Sequence, residues 1–328
     1  MPVLSVDWPA STETSALNNR HDYPSAPLID YDRAATGKEG GSVNWSCRRL
    51  VWSLAAIIGV LGATGTAVYA QRIWAGFYGR TPPKFPTATT FDGNFHFCRV
   101  MFNSNRREKQ GWSTDYPGAD INLSVRLSEL TKIRVTLTHD SEGGEGEVPD
   151  TVVVRLTDDA LFQCPFTLME DAGTAQFSDA EVDRLRQYLL KGGFLFVSDY
   201  HGTYAKAQFD EEIRRVLPEA QYPTIDLTPP NHPMWHTMFN VSRIPQIASI
   251  QTWRRTGGST IERWNDDGAP PDASGIADDH GRLMVVMVHN SDIPDPWERE
   301  GEDTEYFYRF SPDSYAIGID IVLYAMTH

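Results

Sequence analysis

Several His and Asp side chains stand where predicted buried strands end. Asp199 and His201 close one apolar run of the chain. His289 and Asp292 close a second run, and His232 lies in a proline-bounded loop. Since the carboxyl ends of parallel strands meet at one edge of an open α/β sheet, these groups could converge there to bind a metal ion or to act as a general base. The competing interpretation is structural, with Asp199 capping a turn and His289 hydrogen-bonded in the core.

The sequence offers no competent nucleophile for covalent catalysis. Cys164 precedes Pro165, which has no N–H to stabilise an oxyanion, and Cys98 lies inside a predicted strand without the glycine that a nucleophile elbow requires. Ser198 also lacks flanking glycines. We therefore predict a non-catalytic chain without a cofactor, and the His/Asp set remains the alternative as a ligand site, metal site or hydrolase site.

Alternating strands and helices must position these groups. Ser178 and Glu181 form the sequence signature of a capping box, and the helix they begin is followed by a fully apolar strand. Strands separated by helices predict a parallel sheet covered on both faces. Apolar patterns predict strands at 95–102, 133–138, 151–156, 194–199 and 282–289, a short apolar run at 161–169, and helices at 119–131, 178–191, 209–217 and 314–327.

An ordered set of segments resembles domain-of-unknown-function family 4159. The segments are 112–123, 164–169, 177–199, 231–233, 281–298 and 317–327. That family is similar to the class I glutamine-amidotransferase-like superfamily, so the resemblance implies a flavodoxin-like α/β sandwich but no settled activity. Two positions depart from the family pattern, because Asn231 and Asp320 stand where Asp and Asn are expected.

An uncharged stretch at 50–71 is long enough to cross a hydrocarbon core of about 30 Å as a helix. A buried helix of a soluble domain and a signal peptide cleaved after Ala70 are the alternatives, and we favour an uncleaved anchor. The adjacent Arg48 and Arg49 favour a cytoplasmic N-terminus. The soluble domain is then periplasmic, on the outer side of the cytoplasmic membrane.

The predicted span and the tail before it both carry residues suited to contact partners. Small residues recur on one face of the span, where a second helix could approach closely: Gly59, Gly62, Ala63 and Ala67. The tail lacks periodicity but contains spaced apolar anchors: Trp8, Tyr23, Leu28, Ile29 and Tyr31. These features predict contacts with the lipid bilayer and with other subunits of a membrane protein complex.

The chain carries a net charge of −15. After residue 90 there are 21 Lys and Arg against 38 Asp and Glu. This surplus of negative charge excludes nucleic acid as a partner. Two acidic segments, 265–281 and 292–310, look exposed, and the second contains four aromatic residues in a composition common at interfaces. These interface candidates are Trp297, Tyr306, Phe307 and Tyr308. The alternative is a solvated insertion whose aromatic side chains pack on the domain.

We divide the chain into a tail at 1–47, a transmembrane helix at 48–72, an interfacial segment and proline-rich linker at 73–92, and an α/β domain at 93–328. The leading hypothesis is a non-catalytic accessory subunit that stabilises a larger membrane complex. Bacterial photosynthetic reaction centre and light-harvesting assemblies are the example of such a complex that we consider. The sequence allows Cys98 and Cys164 either to form a disulfide or to remain buried thiols.

Overall fold

The computed structural model describes residues 81–105, 111–139, 146–229, 231–263 and 265–328. The predictions for the tail and the span lie outside these residues, including the tail anchors Trp8, Tyr23, Leu28, Ile29 and Tyr31 and the helix-packing residues Gly59, Gly62, Ala63 and Ala67. None of the helices in the described part of the chain has the length and apolar character of a membrane span.

A seven-stranded sheet forms the centre of the domain. The strands in chain order are β1 Phe97–Met101, β2 Asn103–Ser104, β3 Leu137–His139, β4 Glu147–Pro149, β5 Thr151–Arg155, β6 Thr167–Met169, β7 Ala175–Gln176, β8 Leu195–Val197, β9 Thr224–Asp226, β10 Asp272–Ala277 and β11 Leu283–His289. The sheet order is β5-β1-β6-β8-β11-β10-β9, while β2–β7 and β3–β4 form separate two-stranded ribbons. The first five strands of the main sheet are parallel, so the predicted α/β fold is confirmed.

One strand departs from the predicted parallel sheet. β10 is antiparallel to both of its neighbours, and it lies in the acidic segment 265–281, which we expected to be exposed. The connection from β10 to β11 is too short for a crossover helix, so the two strands form a hairpin. The Asp278 carboxylate accepts backbone N–H groups in this turn, and Gly281 adopts a φ of 82° there.

Helices cover both faces of the sheet. They are α1 Gly118–Leu130, α2 Asp179–Leu190, α3 Gly202–Val216, α4 Ile250–Thr256, α5 Asp295–Glu298 and α6 Thr304–Thr327, with short 3₁₀ turns at Asp159–Gln163, Ala172–Thr174 and Pro233–His236. The predicted capping box of α2 is present, because the side chains of Ser178 and Glu181 each accept the other residue's backbone N–H. α6 begins well before the predicted start and contains Pro312.

Alternation along the strands produces two cores. In β8, Leu195 and Val197 pack into the core that α2 and α3 cover. The neighbouring Phe194 and Phe196 pack into the opposite core, which α1 and α6 cover. A strand buried on both faces must be apolar throughout, which is why this run was recognisable in the sequence.

A disulfide joins Cys98 in β1 to Cys164, which follows the 3₁₀ turn before β6. Both cysteines are buried. Of the two states that the sequence allowed for these cysteines, the structure therefore has the disulfide.

Candidate metal centre

Acidic residues converge at the carboxyl ends of three neighbouring strands. Glu170 follows β6 directly, Asp199 follows β8 after one residue, and Asp292 follows β11 after two. The chain turns sharply at this edge, because Asp199 and Asn290 adopt positive φ values of 54° and 58°. Asp and Asn tolerate this conformation better than other non-glycine residues, which explains their use there. The edge is where ligand sites of open α/β sheets form.

The turn before α1 brings a fourth carboxylate to this edge. Asp115, with φ 58°, lies in the turn that leads into α1. Asp115, Glu170 and Asp292 each place a carboxylate oxygen within 4.8 Å of the other two. Glu170 is 0 % exposed and Asp292 is 2 % exposed, while Asp115 is partly accessible.

The short helix α5 adds a second group that shares Asp115. Asp295 and Glu298 place carboxylate oxygens within 4.8 Å of each other and of Asp115. Gly118 permits this arrangement, because a Cβ at that position would lie 2.8 Å from the Glu298 Cγ. We refer to Asp115, Glu170, Asp292, Asp295 and Glu298 as the carboxylate cluster.

A buried arginine positions one side of the cluster. Arg99 Nε donates to both oxygens of Asp120 at 3.1 Å, and Arg99 Nη1 donates to the Thr114 carbonyl at 2.7 Å. Nη1 also donates to Glu170 Oε2. Arg99 and Asp120 are 0 % exposed, so this ion pair fixes the turn of Asp115 relative to Glu170 inside the protein.

Two carboxylate oxygens of the cluster have neither a hydrogen-bond donor nor an ion-pair partner, whereas a third buried oxygen, Glu298 Oε2, lies 2.7 Å from Arg299 Nη2. Asp115 Oδ2 and Glu170 Oε1 are inaccessible to solvent and accept no hydrogen bond from the described residues. A buried oxygen without a donor is unfavourable by about 1–3 kcal/mol, and more when it is charged. Such oxygens are satisfied by a bound cation or by a proton.

Burial and mutual repulsion raise the pKa values of the cluster. Desolvation raises the pKa of Asp115, Glu170 and Asp292 well above the usual range for carboxyl groups. Neighbouring carboxylates add to this rise, with Asp292 acting on Asp115 and Asp199 acting on Asp292. Burial also raises the pKa of Asp295 to about 7. Protons or metal cations must therefore neutralise part of the cluster at neutral pH.

Hydrogen bonds to one oxygen of Asp295 oppose the rise of its pKa in part. The Tyr306 hydroxyl lies 2.7 Å from Asp295 Oδ2 and 2.9 Å from the Ala248 carbonyl oxygen. The same Oδ2 accepts the Ile250 backbone N–H at 3.0 Å. Burial outweighs these hydrogen bonds, so the pKa of Asp295 remains raised.

The structure brings only part of the predicted His/Asp set together. Asp292 belongs to the cluster, and Asp199 borders it closely enough to raise the pKa of Asp292. His201 Nε2 lies 3.2 Å from Asp199 Oδ1, so His201 contacts Asp199, the residue that borders the cluster. His201 is not part of either carboxylate group.

The other two histidines have structural hydrogen bonds. His289 Nδ1 lies 3.0 Å from Asp272 Oδ2, and its Nε2 lies 3.1 Å from the Gly202 carbonyl oxygen. His232 Nδ1 accepts the Met234 backbone N–H at 3.2 Å. Neither histidine joins the carboxylate groups, so the inclusion of these two residues in one metal site is a prediction that the geometry does not support.

Two of the four interface candidates are buried in the domain, as the alternative interpretation of this segment expects. Trp297 and Tyr306 are 0 % and 1 % exposed, because α5 and the start of α6 fold over the core instead of forming a solvated loop. Phe307 is half-buried, while Tyr308 is 75 % exposed. An interface role for Phe307 and Tyr308 stays a prediction.

Sequence reasoning missed most of the cluster. Glu170 carried a usable signal, because it directly follows an apolar run that ends at Met169. Asp115, Asp295 and Glu298 carried none, since they lie in turns and a short helix distant in sequence. Only the tertiary packing of α5 beside α1 brings them together.

A known protein family matches most of the chain. The family described as "Domain of unknown function (DUF4159)" matches residues 96–326. The comparison with curated proteins found no match. The relationship to the glutamine-amidotransferase-like superfamily therefore stays a prediction from resemblance.

Proposed function

Since the chain belongs to the domain-of-unknown-function family DUF4159, whose description assigns no activity, we propose a function from the site itself. The α/β domain is a binding module that holds a divalent cation in the carboxylate cluster. The observation that carries this proposal is Glu170, a fully buried carboxylate with one donorless oxygen, grouped with Asp115 and Asp292.

The ligand types favour a hard cation. Both carboxylate groups consist of Asp and Glu, and neither contains His or Cys. Oxygen ligands of this kind suit Mg²⁺, Mn²⁺ or Ca²⁺ better than Zn²⁺. Asp115 is the member of the first group whose residue surface is partly exposed.

Thermal unfolding of the full chain in detergent tests this proposal. Adding Mn²⁺ at about 100 times its dissociation constant should stabilise the folded chain by about 2.7 kcal/mol, which raises the melting temperature by roughly 5 °C or more. Glu170→Gln and Asp292→Asn should each abolish this rise, because they remove charge from the ligand set while keeping side-chain size.

Asp279→Asn is the matched control, since Asp279 is an exposed carboxylate outside the cluster. This variant should keep the full Mn²⁺ response. If Mn²⁺, Mg²⁺ and Ca²⁺ all leave the melting temperature of the unmodified chain unchanged, the domain is not a cation-binding module.

The accessory-subunit hypothesis remains a separate proposal, because the tail and span on which it depends lie outside the described residues. The Cys98–Cys164 bond supports its periplasmic location, since disulfides persist mainly in oxidising compartments. Mild-detergent purification followed by mass spectrometry tests the subunit role. Recovery of the chain alone would count against a stable complex, photosynthetic or other.

A further inference from the structure

A cavity lies at the opposite edge of the sheet from the carboxylate cluster. Its volume is about 760 Å³, which is within the range of small-molecule sites. Phe95 and His96 precede β1 and form one wall, while Gln163 and Pro165 precede β6 and form another. Neither wall shares a residue with the cluster, so this cavity is a separate site.

Two unpaired cations line the cavity. Among the described residues, Lys132 and Arg134 are the Lys and Arg side chains that have no ion pair, hydrogen bond or aromatic contact. They alternate with Ile133, which packs on the core, and both are exposed residues that line the cavity. Two unpaired cations close together in the chain of a strongly acidic domain attract an anion locally.

The nearby carboxylates are already paired with other groups. Asp150 pairs with Lys84 and lies 3.4 Å from His96 Nδ1. Asp92 accepts the Thr136 hydroxyl at 2.8 Å and lies 3.3 Å from His96 Nε2. Burial opposes protonation of His96, but Asp150 and Asp92 outweigh it and raise the pKa of the imidazole. Neither carboxylate therefore forms an ion pair with Lys132 or Arg134.

The remaining walls combine amides with apolar groups. Asn94 and Gln163 bring side-chain amides, and the apolar part of the lining includes Phe91, Pro165 and Met326. A ligand that matches both parts has an anionic head and an apolar body. The two free cations match the charge of a phosphate monoester, which is about −1.5 to −2 at neutral pH.

We propose that this cavity binds a phosphate monoester that carries an apolar group. The apolar group belongs either to a lipid or to a small soluble molecule, and both sources present the same head to Lys132 and Arg134. This site is independent of the proposed cation site, because the two lie at opposite edges of the sheet and share no residue.

Isothermal titration of the full chain in a neutral detergent tests the proposal. Dihexanoyl phosphatidic acid is the lipid probe and phenyl phosphate is the soluble probe. The double variant Lys132→Gln/Arg134→Gln should weaken binding of the preferred probe by about tenfold or more, because it removes both charged contacts. The matched control Lys206→Gln/Arg243→Gln removes the same charge from partly or fully exposed cations elsewhere and should change the affinity less than about twofold.

A second variant, Gln163→Trp, fills the cavity without changing its charge and should also weaken binding, with far-UV circular dichroism confirming the fold. Binding of dihexanoyl phosphatidic acid alone supports a lipid source, and binding of phenyl phosphate supports a soluble one. Binding of neither probe, or equal affinity for the uncharged benzyl alcohol, overturns the proposal. Unchanged affinity in the double variant overturns it as well.

Discussion

Protein groups satisfy the hydrogen-bonding capacity of the Glu170 carboxylate only in part. Arg99 donates to one carboxylate oxygen, while the other is buried without a donor among the described residues. Burial raises the pKa of Glu170, and the charge of Arg99 opposes that rise only in part. A proton and a divalent cation therefore compete for the same oxygens, which links cation binding to pH.

The stability of the cation-free chain should fall as the pH rises from 5 to 8. The folded pKa of Asp295 is about 7 and the model-compound value is 3.8, so the folded state binds more protons than the unfolded state between these values. Stability is then fully present below about pH 4 and is lost as the pH rises through 7. For Asp295 alone the loss between pH 5 and pH 8 is about 3 kcal/mol, because about two pH units of the shift fall inside this range.

Urea unfolding at pH 5 and at pH 8, in the presence of a chelator, measures this effect. Asp295→Asn should flatten the pH dependence, because the amide does not titrate and can still contact Tyr306. Asp279→Asn should leave the slope unchanged. A slope that Asp295→Asn does not alter would show that Asp295 titrates normally.

At the residue scale, the sequence predicted groups that follow long apolar runs. Asp199 and Asp292 were recognisable because the sheet edge is fixed by the strands before them. Asp115 was not recognisable, since its position depends on the contacts of Arg99 with Asp120 and Thr114. Local patterns contain no information on a buried ion pair of this kind.

At the scale of helices and strands, fully buried elements were the most predictable. The strand β8 and the capping box of α2 have strong local signals. β10 was missed because its sequence contains Asp, Ser and Gly, and its place in the sheet comes from pairing with β11 and β9. The start of α6 was missed because Pro312 argues against a helix interior, whereas Tyr306 and Phe310 pack on Trp253 and hold that first part in place.

The disulfide links two elements and should contribute strongly to stability. It joins cysteines separated by 66 residues, and closing a loop of that length in the unfolded chain is worth roughly 4 kcal/mol. Cys98→Ala/Cys164→Ala should therefore lower the free energy of unfolding by a similar amount in urea titrations.

Cys47→Ala is the matched control, because Cys47 is the third cysteine and lies outside the described residues. It should leave the free energy of unfolding unchanged. Thiol labelling of the denatured chain should detect one free cysteine before reduction and three after it. Three free thiols without reductant would show that the bond does not form.

At the scale of the whole molecule, the two edges of the sheet carry opposite charge patterns. The carboxyl edge gathers the acidic cluster, which suits a cation, and the other edge presents two free cations beside a cavity. The disulfide lies between β1 and the segment before β6, next to residues that line this cavity. The domain therefore has two chemically distinct places where ligands could bind, while its membrane anchoring remains a prediction.

Electron paramagnetic resonance of Mn²⁺ tests the central claim most directly. Titrating Mn²⁺ into the full chain in detergent should remove the signal of free Mn²⁺ in stoichiometric amounts. Glu170→Gln should restore that signal, and Asp279→Asn should behave like the unmodified chain. An undiminished free Mn²⁺ signal with the unmodified chain, or equally tight binding in Glu170→Gln, would contradict the assignment of the carboxylate cluster as a cation site.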